Sequence, residues 1–295
     1  MDDVRLEAAQ ARMLPDATAR TPTRRATLHL AAGVLVTVVA AWWFVLAQEG
    51  SDVPAAGQVL DRTVDFAGRL LGVGDEATPA YAQSAKWAVV GRLALDTVVM
   101  SVLAAGMAGL GALATIAFAA RSLTIGEFAP ANRLLGRAAY LVVRGVHVVA
   151  RSVPELVWAL LLVFLVRPGV LAGALALALH DLGVMGRLGA DVIDGLDRGP
   201  LRGLRASGAR RLEILAYGVL PAALPQLVTF LLYRWEVIIR ASVVVGFITA
   251  AGLGFQLRLD LSARRWTDVA LILLVYVLLV WTVDLASTAL RRLAR

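Results

Sequence analysis

The chain has 295 residues, of which 59% are hydrophobic, and its mean hydropathy is +0.74. Soluble domains contain about 45–50% apolar residues, so this composition and the long apolar runs indicate a membrane protein with several spans. The chain contains no Cys, which excludes disulfides and thiolate chemistry. The net charge of +7 does not indicate nucleic-acid binding, because the arginines lie mostly at the ends of apolar runs, where they set orientation.

Residues needed for nucleotide hydrolysis, metal binding or nucleophilic catalysis are missing from the sequence. The single lysine, Lys86, lies in AQSAKW, which is not a phosphate-binding loop. The three histidines, His29, His147 and His180, are too scattered for a metal cage, and no Ser lies in a nucleophile elbow. We therefore predict a chain that is no enzyme and binds no metal or cofactor. Any ATP hydrolysis must come from a partner.

The N-terminal part of the chain predicts one separate span. Residues 1–28 are polar and of mixed charge, and we interpret them as a cytoplasmic tail rather than a cleaved signal peptide. Residues 29–47 form the first predicted transmembrane helix. Residues 48–86 are rich in acids and predict an external loop, within which residues 59–71 could form a short surface helix.

The second span is the clearest in the sequence, because residues 98–120 form an uncharged run. Small residues recur in it every four positions, at Ala104, Ala108 and Ala112. This spacing lets helices pack closely in a membrane. Arg121 then closes the span on the predicted cytoplasmic side.

The next stretch predicts an amphipathic helix followed by two spans. Residues 131–150 mix arginines with apolar residues and predict a helix at the cytoplasmic interface. Residues 151–166 predict the third span, with Pro154 in its first turn. The boundary between these two helices stays open. Residues 169–193 predict the fourth span.

An arginine-rich segment, residues 194–221, separates the fourth span from the fifth. Gly208 is expected to end or bend a short helix in it. Apolar residues of the segment could line one face of that helix, namely Leu201, Leu204, Ala206 and Leu212. Two interpretations remain at this point. The helix either enters a groove on a partner protein, or the segment is an ordinary loop whose arginines only fix topology.

Charges interrupt the fifth apolar run and make its interpretation ambiguous. A division at Arg234 and Glu236 would give seven crossings and leave the C-terminal arginines outside, against the positive-inside rule. We prefer one span over residues 221–247, which places Arg240 inside the membrane as well. The glycine-broken residues 250–255 then predict a re-entrant turn.

The last predicted span covers residues 268–286, and the arginines that follow it hold the C-terminus inside. The total is six crossings with both termini cytoplasmic. No internal repeat and no low-complexity domain is present in the sequence.

Charged residues inside spans mark candidate functional positions, because such residues are rare and face a cavity or a partner. Glu236 and Arg240 are four residues apart, share a helix face and could pair, whereas Arg234 lies on another face. Together they could line a pathway for an anion, or they could form a structural ion pair within the helix bundle.

Arg151 and Glu155 are also four residues apart, at the inner start of the third span. They suit a pair that anchors the helix end, and a position on the pathway is the alternative. His180 and Asp181 are adjacent in the fourth span and therefore point in different directions on a helix.

Two motifs give the sequence a family resemblance. The arginine-rich segment resembles the cytoplasmic "EAA" loop of the membrane subunits of bacterial ABC importers, which has a Gly about a dozen residues before a Leu-Pro pair. Gly208, Leu220 and Pro221 match this motif, while Arg202 and Gly203 stand where the family usually carries Glu-Ala. The stretch RSVPELVWA at residues 151–159 resembles the RS-[IV]-PELVWA motif of phosphonate-type ABC permeases.

Residues 234–255 resemble the segment of these permeases that carries a Glu, an Arg and a glycine-rich turn. Ile238 stands where an Asn is common in the family, and Ala250-Ala251 replaces part of the glycine run. The positions that keep the pattern are Glu236, Arg240, Gly246, Gly252 and Gly254. The resemblance covers the chain from about residue 94 to the C-terminus.

The resemblance implies an all-α integral membrane protein with about six transmembrane helices. Residues 94–290 would form an ABC permease core like that of the methionine importer, and the first helix would be an N-terminal addition. The chain would be a subunit of the bacterial plasma membrane that pairs with a second copy of itself. Its other partners would be two ABC ATPase subunits, which carry the ATP and Mg²⁺, an extracytoplasmic substrate-binding protein and the lipid bilayer.

The resemblance also implies a cargo, which would be a phosphonate, phosphate, phosphite or related oxyanion, and it implies three sets of site residues. Coupling to the ATPase would involve Arg202, Leu204, Arg205, Ala206, Gly208, Ala209, Leu220 and Pro221. The translocation pathway would involve Arg234, Glu236, Arg240, Arg151 and Glu155. A gate turn would involve Gly246, Gly252 and Gly254.

Other functions remain as alternatives. A permease of the same class could carry an amino acid, a quaternary amine or a metal chelate, although arginines in the pathway would repel a cation. An ion-coupled secondary transporter would usually show repeats and broken helices in both halves, and the broken segment near Ala250 has no counterpart in the first half. An intramembrane enzyme lacks a nucleophile or a metal set.

Overall fold

The computed structural model describes residues 24–49, 56–74, 78–130 and 132–293. Most of the predicted N-terminal tail, parts of the predicted external loop and Arg295 lie outside these residues. The chain divides into two compact units, residues 1–65 and 66–295. All regular structure in the described ranges is helical.

The first described helix, α1, covers Arg24–Glu49 and contains the predicted first span. Apolar residues surround it on every side and are solvent-exposed within its unit, as expected for a helix that faces lipid. A second helix, α2, covers Ala56–Leu70 and corresponds to the predicted surface helix.

The long helix α3 covers Ser84–Ala119 and forms the main packing surface of the second unit. It begins well before the predicted start at Val98, because Lys86, Arg92 and Asp96 lower the hydropathy of its first turns without breaking the helix. The predicted small-residue face is confirmed as a packing face. Ala104, Ala108 and Ala112 are almost completely buried, and neighbouring positions on this face pack against the helix that follows α6.

A short turn of helix, α4, covers Arg121–Thr124, and the amphipathic α5 covers Arg133–Ser152. The Asn132 side chain caps α5 by accepting from the backbone N–H groups of Leu134 (3.1 Å) and Leu135 (3.2 Å). Helix α6 covers Glu155–Leu165 and is bent by 97° from α5. Pro154 lies in this break, where its ring and its missing N–H prevent a continuous helix.

The remaining chain forms a helical bundle around α7, which covers Val170–Asp194. Helix α8 covers Arg198–Ala206, and α9 covers Arg211–Glu213. A π-helical turn at Ile214–Val219 leads from α9 directly into α10, Leu220–Thr249. Helix α11 covers Gly252–Ser262, and α12 covers Trp266–Leu293.

Five of the described helices are long and apolar enough to cross a membrane, and the count becomes six if the bent pair α5–α6 forms one span. The single fifth span is confirmed, since the helix runs unbroken past Arg234, Glu236 and Arg240. The predicted re-entrant turn is shorter than expected. The chain turns at Ala250 (φ 55°) and Ala251, and α11 already begins at Gly252.

Candidate functional site

The arginine-rich segment folds as a short capped helix that reverses at a glycine. Asp197 caps α8 by accepting from the Gly199 backbone N–H at 3.0 Å. After α8 the chain turns through Gly208, whose φ of +88° is a conformation that glycine adopts without strain. Leu201 is the buried residue of α8. The prediction that Leu212 shares its face is wrong, because α8 ends before that residue and the Leu212 side chain is 78% exposed.

Glu127 holds the arginine-rich segment onto the loop between α3 and α5, which includes the short helix α4. Arg202 donates to both Glu127 carboxylate oxygens, from Nε at 2.8 Å and from Nη2 at 3.1 Å. Arg205 donates to the Glu127 backbone carbonyl at 2.6 Å. The hydrogen bond from Arg202 lowers the pKa of Glu127 below its ordinary value. Arg202, which stands where the family motif usually has Glu, therefore makes a contact within the chain.

Arg211 makes a second attachment to the same loop. Its guanidinium donates to the carbonyls of Phe128 (3.0 Å) and Leu123 (2.7 Å). Beside these contacts lies an open, mainly apolar cavity of about 410 Å³, bordered by the loop, the end of α3 and Leu212 and Leu215 of the segment. The segment and the loop thus form one hydrogen-bonded unit.

The acids near the segment satisfy backbone donors. Asp194 accepts from the backbone N–H groups of Arg121 (2.9 Å) and Ser122 (2.8 Å). Glu213 accepts from the Arg210 backbone N–H at 2.6 Å. These carboxylates stabilise helix starts, which carry partial positive charge.

Helix α10 places three charged side chains against two other helices, α7 and α12. Arg234 pairs with Asp181 of α7, and the Nε contact is 2.6 Å. The Asp181 side chain is 3% exposed and that of Arg234 16% exposed, so this pair is buried. Asp181 and Arg234 were both noticed in the sequence, but their pairing across 53 positions was not predicted.

The predicted pair between Glu236 and Arg240 is wrong, because each finds a partner on α12. Glu236 accepts from Arg291, and this pair is mostly buried. Arg240 Nη1 lies 3.5 Å from Oδ1 of Asp284, and both side chains are nearly half exposed. Neither Arg291 nor Asp284 was predicted as a partner.

Arg151 and Glu155 do not form the predicted helical pair. They lie on opposite sides of the break between α5 and α6, so the four-residue spacing has no helical meaning there. Glu155 instead faces His180 of α7, with 3.9 Å between Oε2 and Nε2. His180 Nδ1 lies 3.0 Å from the Val153 carbonyl. His180 and Asp181 thus point to different partners, as their adjacency predicted.

The glycines of the predicted gate turn lie where the backbones of α10 and α11 meet. A Cβ added to Gly246 would overlap the Ala251 carbonyl, and one added to Gly254 would overlap the Val243 carbonyl. Gly252 has a φ of +61°, and a Cβ there would meet the side chain of Thr97. Within the part of the chain that the structure describes, no group of His, Asp and Glu residues could hold a metal ion.

An all-helical protein with several apolar spans and charges enclosed between them belongs to the class of polytopic membrane proteins. Residues 122–294 match the family described as binding-protein-dependent transport system inner membrane component. The match covers more than half of the chain, so the chain belongs to this family. It is a multi-pass inner-membrane transport subunit, as the sequence predicted.

The curated relatives are named for the transport of phosphite, phosphate or phosphonate. The phosphite transport system permease protein PtxC of Stutzerimonas stutzeri is 35% identical over 219 residues, which are 74% of this chain and 75% of that protein. The phosphate-import permease protein PhnE of Mycolicibacterium smegmatis is 32% identical over 204 residues, 69% of this chain and 36% of that protein. The putative cryptic phosphonate transport system permease protein PhnE2 of Escherichia coli is 34% identical over 118 residues, 40% of this chain and 97% of that protein. The resemblance to phosphonate-type permeases is confirmed.

Solved structures share the fold. The MetNI methionine ABC transporter in an inward-facing conformation matches with a TM-score of 0.61 at 18% identity, over 72% of this chain and 99% of that chain. An amino acid ABC transporter matches with a TM-score of 0.55 at 20% identity, over 71% of this chain and 98% of that chain. The predicted methionine-importer-like fold is confirmed.

Proposed function

We propose that the chain is the permease subunit of an ATP-driven ABC importer for a tetrahedral phosphorus oxyanion, namely phosphite, phosphate or a phosphonate. The observation that carries the proposal is the 35% identity to a phosphite permease over 219 residues. Relatives named for phosphate and phosphonate transport support the same group of cargoes.

In this proposal two copies of the chain enclose one pathway, and both termini face the cytoplasm. Two ATPase subunits bind the ATP and Mg²⁺ and dock on the arginine-rich segment. An extracytoplasmic binding protein delivers the cargo. The support within the chain is the shape of the segment. Its short exposed helix α8 is held by Arg202, and its α9 turn is held by Arg211, to the connection between α3 and α5. A movement of the segment would reach α4 and the residues that follow it through these hydrogen bonds.

Arg240 is the residue of α10 most suited to meet the cargo. Arg234 and Glu236 are engaged in buried pairs, whereas the Arg240 side chain is 45% exposed. A guanidinium can donate two parallel hydrogen bonds to a tetrahedral oxyanion. In this proposal Arg151 and Glu155, at the bend between α5 and α6, also belong to the pathway, and the closely packed glycines of α10 and α11 form its gate turn.

Uptake into proteoliposomes tests the function. The vesicles would hold this chain, its co-purified ATPase and its binding protein, with phosphite, phosphate and methylphosphonate compared as cargo. We expect ATP-dependent accumulation of at least one of them, and we expect Arg240→Glu to abolish it while assembly with the ATPase stays intact.

Other outcomes lead to other functions. ATP-dependent uptake of an amino acid in place of the oxyanions would keep the class and change the cargo. Uptake that follows a proton or sodium gradient, with no ATPase co-purifying, would refute the proposal and favour a secondary transporter.

A further inference from the structure

The three ion pairs that α10 forms differ in how exposed their side chains are. Side chains of the Arg234–Asp181 and Glu236–Arg291 pairs are 3% to 22% exposed. The Arg240–Asp284 pair is 45% and 41% exposed, and one long contact of 3.5 Å joins it. Two pairs are therefore enclosed by protein, while the third is open on one side.

Several contacts that do not involve Asp284 join α12 to α10. The Ser287 hydroxyl donates to the Leu232 carbonyl of α10 at 3.3 Å, and the Tyr276 hydroxyl donates to the Arg240 carbonyl at 3.4 Å. The mostly buried pair near the end of α12 holds the same two helices together. If the Arg240–Asp284 pair served only to hold the two helices together, it would add little to these contacts.

An open charge pair in a span needs an aqueous surrounding or a second protein surface, because lipid solvates charges poorly. Only one N–H group of Arg240 is engaged with Asp284, and no other side chain in the described ranges pairs with this guanidinium. The rest of its donor fork is free to meet an acceptor on the exposed side of the pair. A tetrahedral oxyanion presents two oxygens at the spacing that this fork matches.

We propose that Asp284 is a built-in competitor of the cargo at Arg240. Between transport events its carboxylate holds the guanidinium at 3.5 Å. An arriving oxyanion displaces it, and its return then expels the oxyanion. The inference rests on the proposed function and adds a residue that sets cargo affinity. It explains how an arginine inside an importer can accept an oxyanion without retaining it.

Direct binding measures this competition. The complex of the chain with its ATPase, in detergent and without the binding protein, would be titrated with radiolabelled phosphate, with phosphite and methylphosphonate as unlabelled competitors. Asp284→Asn removes the competing charge and leaves the side-chain size unchanged. Since a half-exposed ion pair contributes about 1 kcal/mol, we expect binding of the preferred oxyanion to become roughly threefold to tenfold tighter.

Two further variants and one uptake rate test whether loss of the Asp284 charge is the cause of the tighter binding. Asp284→Glu keeps the competing charge and should keep an affinity within about twofold of the wild-type value. Arg240→Gln combined with Asp284→Asn should lose the gain in affinity. ATP-driven uptake by Asp284→Asn, measured at saturating cargo, should be slower than that of the wild type because release is slower.

The outcomes separate this inference from the proposed function. Unchanged or weaker oxyanion binding by an assembled Asp284→Asn complex would overturn the role of Asp284. The same conclusion would follow if neither the wild-type nor the Asp284→Asn complex bound an oxyanion detectably. Normal wild-type uptake in that case leaves the importer function standing. A wild-type complex that moves none of the three oxyanions refutes the proposed function, and the binding titration still decides whether Asp284 opposes an anion at Arg240.

Discussion

Gly254 lies where the start of α11 crosses the end of α10, and a methyl group at this position tests how tightly the turn is built. An added Cβ would overlap the Val243 carbonyl, and it would lie 2.9 Å from the Val243 carbonyl carbon and 3.1 Å from the Cα of Gly246. All of these atoms belong to backbone, which cannot rotate away as a side chain does. Gly254→Ala must therefore push the two helices apart.

The expected cost of Gly254→Ala follows from two opposing terms. Overpacking in a well-packed core costs about 1–3 kcal/mol, and we take the upper end, about 3 kcal/mol, for an overlap with backbone atoms. Ala gains up to about 1 kcal/mol over Gly in a helix. The net loss of unfolding free energy is therefore about 2 kcal/mol, which would lower the melting temperature by roughly 4–8 °C.

Thermal unfolding of the purified chain in detergent, followed by tryptophan fluorescence, would measure this loss. Gly91→Ala is the matched control, because a Cβ at Gly91 in α3 meets no atom within 4 Å. We expect the control to melt at or slightly above the wild-type temperature. A Gly254→Ala protein as stable as the control would refute the close approach of the two helices.

Three further predictions concern the arginine-rich segment and the buried charges. Gly208→Val places a β-branched residue at φ +88°, which should cost about 1–2 kcal/mol of stability and uncouple ATP hydrolysis from uptake. Gly208→Asn is the milder control. Full coupling of Gly208→Val in proteoliposomes would contradict a role of this turn in docking. Asp181→Asn should lose about 3–5 kcal/mol by leaving Arg234 charged and unpaired, whereas Asp181→Leu with Arg234→Met should recover most of it in the same melting assay. The lowered pKa of Glu127 means that its bond to Arg202 persists above the ordinary value of 4.5 and is lost only as pH falls through the lowered pKa. Arg202→Gln should raise this pKa toward 4.5, as measured by carboxyl NMR, and an unchanged value would contradict the contact.

The sequence predicted the spans because long, predominantly apolar runs are a strong signal for a transmembrane helix. The fourth and fifth spans begin and end within a few residues of α7 and α10. The second span was predicted too short, because three charges near Ser84 dilute the apolar pattern while the backbone stays helical. The bend between α5 and α6 depends on the angle at Pro154, and sequence spacing does not determine that angle.

Partners of the charged side chains were the least predictable part of the site. Glu236 and Arg240 share a helix face, so local spacing suggested a pair, but each side chain contacts a residue of α12 instead. Those partners lie 55 and 44 positions away in sequence, and the choice depends on how the helices pack. The contact of Arg202 with Glu127 spans 75 positions and was missed for the same reason.

A single helical path runs from Arg211 to Thr249, through the π-helical turn and on past Arg240. This continuous helix connects the docking segment to the region around Arg240. If docking at the Arg211 end changes the affinity for an anion near Arg240, then the anion changes the strength of docking by the same factor.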